Sequence, residues 1–392
     1  IETILNFFSF LFFTVSQNLE FLMLVIKLGL LIVTIKIVLV LTSAPLEYFP
    51  IKMTLHWGIA SAGKISHDFV TAMATLPASD HKVMAVAAMD LSRAKQFAAL
   101  HKIPDAFLGY EALAKHPKVD IVYIGSLNPQ HLEIATLMLN NGKNVLCEKP
   151  LCLNYKQAKS LVDLARSKNL FLMEAVWSRF FPSYVHLRNL VTTGALGEIF
   201  SVDVNFGQPI SGVKRLNTKE LGGGTILDLG IYVLQFSQMI YGCEPLKVVA
   251  AGHLNEDGVD LSMSCVLTYP NGGTATLSTH SKVALSCEAR VTGTKGTLPM
   301  FWCPDKLQLP DGSWKEWPLP AAAHPFNFTN SSGLCYEAEE CRRCIQKGQF
   351  CITNTDPFTP CGALANRVAA GQVLTCSVVF QLSVYNVTSC WY

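Results

Sequence analysis

Charge is scarce in this chain of 392 residues: Asp, Glu, Lys and Arg together make up 15%, and 31 basic against 29 acidic residues leave a formal net charge of +2. No block of like charge interrupts the sequence, which excludes the basic face that nucleic-acid binding requires. Cysteine is plentiful, at 13 residues, but without the paired spacings of a disulfide scaffold or a zinc ribbon. The close pair Cys341 and Cys344 has no second pair to complete four ligands and falls in a helix-like stretch, so no metal site is expected. Scattered thiols fit a reducing compartment, and a cytoplasmic location is the expectation.

Charged residues are few at the two ends. Residues 21–41 read FLMLVIKLGLLIVTIKIVLVL, long and apolar enough to span a bilayer, with Lys27 and Lys36 as interruptions. Two readings stay open. Residues 1–52 are a hydrophobic extension that is not part of the mature enzyme, or they are a signal anchor that attaches it to a membrane. The first is the working expectation, because the first core strand begins straight after Met53. Residues 350–392 carry only Asp356 and Arg367 as charges and show no clean helical period, and they read as a divergent tail.

Between the ends, strand and helix patterns alternate. Apolar runs at 55–60, 82–88, 120–125, 144–147 and 169–173 are separated by helical patterns at 65–76, 92–100, 110–116, 129–141 and 154–167, with Ser92 and Asn154 as N-caps. Residues 53–174 are therefore expected to form a doubly wound parallel sheet, which binds ligands outside the carboxyl ends of its strands. The first strand-to-helix turn reads Gly58-Ile-Ala-Ser61-Ala-Gly63-Lys64-Ile65-Ser66. Set against G-x-G-x-x-G, Ser61 and Ser66 replace the outer glycines and Gly63 keeps the middle one. The middle glycine lets backbone approach a pyrophosphate resting on the helix N-terminus, so Ser61, Gly63, Lys64 and Ile65 are the expected cradle. A turn without a ligand is the plain alternative.

At the end of the second strand an enzyme specific for NAD places an acid against the ribose. Here Ala88 leaves room, and Ser92 and Arg93 follow, a pattern suited to a 2′-phosphate; Asp90 opposes it if its carboxylate points inward. NADP is expected rather than NAD. The loop Ser126-Leu-Asn128-Pro129-Gln-His131 lies after the third long strand. Asn128 and His131 are candidates for cofactor contact, and His131 has a purely structural hydrogen-bonding role as its alternative.

Glu148-Lys149-Pro150 ends the strand at 144–147, and proline there fixes Lys149 at the sheet's ligand-binding edge. From residue 175 the character changes. Trp177 opens an aromatic stretch, and alternating runs at 199–206, 247–252, 261–269, 274–281 and 288–292 read as an antiparallel sheet in a second domain, 175–349. Gly222, Gly223 and Gly224 precede a helix carrying Asp228 and Tyr232, spaced to share one face. An ammonium near a phenol favours the phenolate, so Lys149 beside Tyr232 makes a general base for a hydroxyl proton as hydride leaves carbon. Without Lys149, Tyr232 would read as a core residue.

Several segments together resemble the glucose-fructose oxidoreductase / inositol 2-dehydrogenase family across residues 53–349. They are WGIASAGKIS from Trp57, DLSRAKQFA from Asp90, VLCEKP from Val145, LFLMEAVWSRFFP from Leu170, LGGGTILDLGIYVLQF from Leu221 and VTGTKGTL from Val291. The resemblance implies a Rossmann-like domain joined to an α+β domain with a large open-faced, mainly antiparallel sheet that dimerises. It implies NADP, with Glu148 among its contacts. It implies Lys149 and Tyr232 as the catalytic pair, where most members have His at the tyrosine position. Trp177, Phe206 and Asp228 would bind a small diol or sugar. The implied activity is oxidation of trans-dihydrodiols to catechols and of aldopyranoses such as D-xylose to lactones. Two departures weaken the match: Met89 and Phe200 stand where the most similar members have arginine, and the tail diverges. A catalytically weakened nucleotide-binding paralogue and a membrane-anchored reductase are the competing readings.

Overall fold

The computed structural model describes residues 54–301, 306–309 and 311–348, with residues 2, 3, 5, 6, 23 and 27–34 of the amino-terminal extension. Residues 1–52 and 53–392 are separate compact units. In the first, residues 27–34 are helical. Among the described residues no helix is long and apolar enough to cross a membrane. The candidate span at 21–41 lies in larger part outside the described residues, and the tail at 350–392 wholly outside them.

In the larger unit, β1 (Leu55–Ala60), β2 (His81–Ala88), β3 (Asp105–Leu108), β4 (Ile121–Ile124), β5 (Asn144–Glu148) and β6 (Leu172–Ala175) form a parallel sheet in the order β3-β2-β1-β4-β5-β6. The helices between them are α1 (Lys64–Met73), α2 (Leu91–His101), α3 (Glu111–Ala114), α4 (His131–Asn140) and α5 (Tyr155–Ser167). Strands covered on both faces must be apolar on both, which is why LHWGIA and IVYI read as continuous runs. Trp57, Ile59 and Tyr123 pack with Phe69 of α1 and Phe97 of α2 on one face, while Ala60, Val122 and Ile124 pack with Leu113, Ile134 and Leu161 on the other. Each fully buried aliphatic or aromatic side chain contributes about 1.5–3 kcal/mol. The strand order reverses between β1 and β4, and this opens a crevice at their carboxyl ends.

The second sheet comprises β7 (Ile199–Gly207), β8 (Lys247–Leu254), β9 (Asp260–Thr268), β10 (Thr274–His280), β11 (Glu288–Gly293), β12 (Gly296–Phe301), β13 (Lys306–Gln308) and β14 (Trp314–Glu316). Its order is β14-β13-β12-β11-β7-β10-β9-β8, antiparallel except for the parallel pair β7–β10. One face is buried with residues of α6 (Pro182–Thr192) and α8 (Ile231–Tyr241); the other turns Asp203, Val249, Val266 and Thr276 to solvent. The expected architecture therefore holds: a Rossmann-like sheet and a mainly antiparallel open-faced one. A one-turn helix, α7 (Lys214–Asn217), lies between β7 and α8.

Three features differ from the sequence reading. The N-cap of α2 is Asp90, not Ser92: the helix starts at Leu91, and the Asp90 carboxylate accepts from the backbone N–H of Ser92 at 2.8 Å and of Arg93 at 3.3 Å. The edge strand β3 has no pattern of its own, being four residues long and only partly buried. The last helix, α9 (Leu334–Gln346), packs into the first core through Leu334, Cys335, Ala338, Cys341 and Cys344, while its Tyr336 also packs against the second core. Burial holds the Cys341 thiol well above its usual range.

Candidate active site

The crevice begins at the turn after β1. Ser61 adopts a positive φ of 89°, where the fingerprint has glycine, and its N–H donates to Ala87 O at 2.8 Å. Gly63 is the N-cap of α1; a Cβ built there would lie 3.5 Å from Ser61 Oγ and 3.7 Å from Gly125 O, both ordinary contacts. Nothing inside the chain demands glycine at that point, so the missing side chain leaves space for a group from outside. The first turn of α1 has no side-chain cap and no acid, which leaves the backbone N–H groups at Gly63, Lys64 and Ile65 open to an anion. This donor set fits a pyrophosphate. The third glycine of the fingerprint, normally required for close helix–strand packing, is supplied from across the crevice: a Cβ at Gly125 would meet Ser66 Oγ at 2.4 Å.

Beside this turn Ala88 is buried and Met89 is 68% exposed. The Asp90 carboxylate is occupied by the start of α2, and Ser92 Oγ accepts from Gln96. Arg93 reaches back to donate to Ala62 O at 3.2 Å, so its guanidinium lies over the first turn.

Lys149 stands at the end of β5, before a cis peptide to Pro150. Its ammonium donates to the backbone carbonyl of Asp228 at 2.9 Å and to Asp228 Oδ1 at 3.1 Å, and it lies 5.1 Å from the centroid of the Tyr232 ring. The indole N–H of Trp177 donates to Tyr232 Oη at 2.9 Å, and Phe206 meets the Tyr232 ring edge-on with centroids 5.8 Å apart. Lys149, Asp228, Tyr232, Trp177 and Phe206 are thus brought together. Asp228 and Tyr232 do not share one continuous α-helix: Asp228 lies in a π-turn, Ile226–Gly230, that leads into α8. The turn directs both the carbonyl and the carboxylate of Asp228 at Lys149.

The glycine run makes that turn possible. Gly224 has φ +128°, and a Cβ there would meet Asp260 Oδ1 at 2.3 Å. The other Asp260 oxygen accepts from Ile226 N at 2.7 Å and so anchors the π-turn. Burial raises the Asp260 carboxyl to about 6 against these hydrogen bonds.

Asp228 has a second cation that the sequence did not disclose. Arg215 of α7 approaches the same Oδ1 with both terminal nitrogens, at 3.4 and 3.3 Å. Burial would push the Asp228 carboxyl up, but Lys149 and Arg215 together hold it below the ordinary value. Arg215 sits in a short segment without periodicity, and no sequence signal marks it.

Two expected cofactor contacts, Glu148 and His131, have hydrogen-bond partners inside the chain. The Glu148 carboxylate turns into the sheet, accepting from Tyr123 Oη at 2.6 Å and from Lys149 N at 3.2 Å. Burial is the main cause of its raised pKa, with the tyrosine and Lys149 opposing. His131 is completely buried, with Nδ1 2.8 Å from Pro150 O and Nε2 3.2 Å from Ser126 O. A neutral imidazole donates through one nitrogen only, and the shorter contact ties α4 to the turn after Lys149. Asn128 bridges the halves, donating from Nδ2 to Gly222 O at 3.0 Å.

Comparison with known proteins places these residues in a wider group. Residues 55–176 match the oxidoreductase family with an NAD-binding Rossmann fold, and residues 184–299 match the GFO/IDH/MocA C-terminal domain. The trans-1,2-dihydrobenzene-1,2-diol dehydrogenase of Xenopus laevis is 46% identical over 300 residues, 76% of this chain and 91% of the relative. Those of Sus scrofa and Homo sapiens are 47% and 44% identical, each over 76% of this chain and 90% of the relative. Among solved structures, levoglucosan dehydrogenase in complex with NADH and levoglucosan has a TM-score of 0.71 at 19% identity, covering 83% of this chain and 98% of that one. KijD10, a 3-ketoreductase from Actinomadura kijaniata in complex with NADP and TDP-benzene, has a TM-score of 0.67 at 23% identity, covering 80% and 97%. At such identities the structural likeness is one of fold.

Proposed function

This chain belongs to the GFO/IDH/MocA oxidoreductase family, and from that premise we propose that it is an NADP-dependent dehydrogenase oxidising trans-1,2-dihydrobenzene-1,2-diols to catechols and aldopyranoses such as D-xylose to lactones. The observation that carries the reading is the meeting of Lys149 and Tyr232 at the carboxyl edge of the dinucleotide sheet. A nicotinamide dinucleotide, held through its pyrophosphate by the first turn, would supply the hydride acceptor. Tyr232 takes the hydroxyl proton as the carbonyl forms, and Lys149 stabilises the phenolate and anchors a substrate hydroxyl. Trp177, through its hydrogen bond to Tyr232 Oη, fixes the phenol and with Phe206 lines an aromatic pocket. Asp228 holds Lys149 and reaches substrate through it.

Ser61, Gly63, Lys64 and Ile65 hold the pyrophosphate, Ser92 and Arg93 the 2′-phosphate, and Asn128 the nicotinamide ribose. His131 and Glu148 support this site from behind. Arg93 above the first turn favours NADP, and exposed Met89 supplies no charge there. The open face of the second sheet, with exposed Val249 and Val266, suits a homodimer. Cys147, Cys152, Cys243, Cys287, Cys335 and Cys341 are free thiols, which accords with the cytoplasm.

The test is reduction of NADP⁺ and of NAD⁺ with D-xylose and with a benzene dihydrodiol, comparing wild type with Tyr232→Phe. Turnover in the variant should fall roughly 10²–10⁴-fold while NADPH binding stays within about twofold. Unchanged kcat removes Tyr232 from the mechanism, and a folded wild type inactive with both substrates favours the weakened paralogue.

A further inference from the structure

We propose that Arg215 is a positioning residue for the Lys149–Tyr232 pair: by sharing one carboxylate oxygen of Asp228 with Lys149, its guanidinium divides that negative charge and leaves the ammonium a stronger cation towards the phenol. The proposal rests on the reading of Lys149 and Tyr232 as the catalytic pair.

The three groups form a row. Lys149 Nζ and the two Arg215 nitrogens lie 3.1, 3.4 and 3.3 Å from the same Asp228 oxygen. The Lys149 and Asp228 side chains are 15% and 13% exposed, and that of Arg215 is 39% exposed, so the row runs from a partly buried cation through a partly buried anion to a cation nearer the surface. If Asp228 faced Lys149 alone, a full negative charge 3.1 Å from the ammonium would largely cancel its field at the phenol ring, 5.1 Å away. Arg215 supplies the second positive charge, and the three groups together carry one net positive charge.

The remaining charged groups do not replace it. Glu148 on β5 is held up by burial, and Glu174 on β6, raised to about 7 by burial, is faced by Arg179. His131 on α4 is held low by burial and stays uncharged near neutral pH. Asp260 on β9 is committed to the backbone of the π-turn.

Removing the guanidinium should let Asp228 pair fully with Lys149 and make the phenolate harder to form. In Arg215→Met, the rising limb of kcat/KM for diol oxidation should move up by about 0.5–1 pH unit, less than the ~1–3 units of a charge in direct contact. Arg215→Gln, which keeps hydrogen-bonding capacity without charge, carries the same expectation, and Arg215→Lys should return the limb to its wild-type position. An activity-independent readout is the ultraviolet titration of the phenolate, taken as the difference between each protein and the same protein carrying Tyr232→Phe. That titration should move by the same amount. A phenolate titration unmoved in the Met and Gln variants, or moved equally in the Lys variant, overturns the proposal. Displaced titration in a protein that oxidises no diol or sugar would leave Arg215 in this role and refute the dehydrogenase reading. Normal turnover with an unmoved titration would do the reverse.

Discussion

Asp228, largely buried, and Glu337, fully buried, are carboxylates, one in the second domain and one on the helix that returns to the first, and their surroundings drive them in opposite directions. Asp228 has two cations on one oxygen and is held below its usual range despite its burial. Glu337, on α9, is completely buried, and neither carboxylate oxygen has a hydrogen-bond partner among the described residues. Burial and the neighbouring Glu148 push it well above its usual range. Depth is common to both, so depth does not decide the charge state; the cations do. Asp228 keeps its charge because Lys149 and Arg215 reach it, whereas among the described residues no cation offsets the burial that pushes Glu337 up. Glu148 stands between the two, bound to Tyr123 on the core side and to the Lys149 backbone on the other.

The sharpest way to break this contrast is Lys149→Met. Turnover should fall roughly 10²–10⁴-fold, since the phenol loses its cation. Asp228, left with Arg215 alone, should titrate higher. In the wild type a carboxyl held low stabilises the fold above its unfolded value of 3.8, and that contribution is lost only as pH falls through the folded value. Urea unfolding of the variant should therefore show acid destabilisation beginning at higher pH. Wild-type turnover in the variant would separate Lys149 from the chemistry.

A second experiment uses Glu174, whose carboxyl accepts from Leu151 N at 2.8 Å and which burial raises from 4.5 to about 7. A raised acid binds its proton more tightly in the fold, so wild-type stability should fall as pH rises from about 4.5 towards 7, by at most about 1–3 kcal/mol. Glu174→Gln should flatten that slope. An identical slope in both proteins would show that Glu174 is not held up.

The smallest effect is expected at Glu337→Leu. A neutral acid without hydrogen bonds loses little when an apolar side chain of similar size replaces it, and unfolding free energy should change by no more than about 1 kcal/mol or rise. Destabilisation by several kcal/mol would reveal a partner for the carboxyl and remove the contrast with Asp228.

Much of the site was legible because local chemistry marks it. Gly63 precedes a helix, Lys149 follows a strand and precedes proline, and Tyr232 follows three glycines. The inward hydrogen bonds of Glu148 and His131 were not legible, because their partners, Tyr123 Oη and the Pro150 and Ser126 carbonyls, are fixed only by the fold. Asp90 rather than Ser92 caps α2 because the helix starts two residues earlier than a cap at Ser92 requires. The strands β3, β13 and β14, of four, three and three residues, are too short to show alternation.

The sequence by itself determined the order of strands and helices in the first domain apart from β3, the antiparallel character of the second, and the placing of a lysine at the sheet edge. These follow from residue periodicity and from glycine and proline, which act on neighbouring backbone. Only the tertiary structure decided which charges meet. Lys149 and Asp228 are 79 residues apart, and Arg215 and Asp228 are 13 apart across an irregular segment. An ion pair is a contact in space with no period along the chain, so the sharing of one carboxylate between two cations exists only once both domains have folded around it.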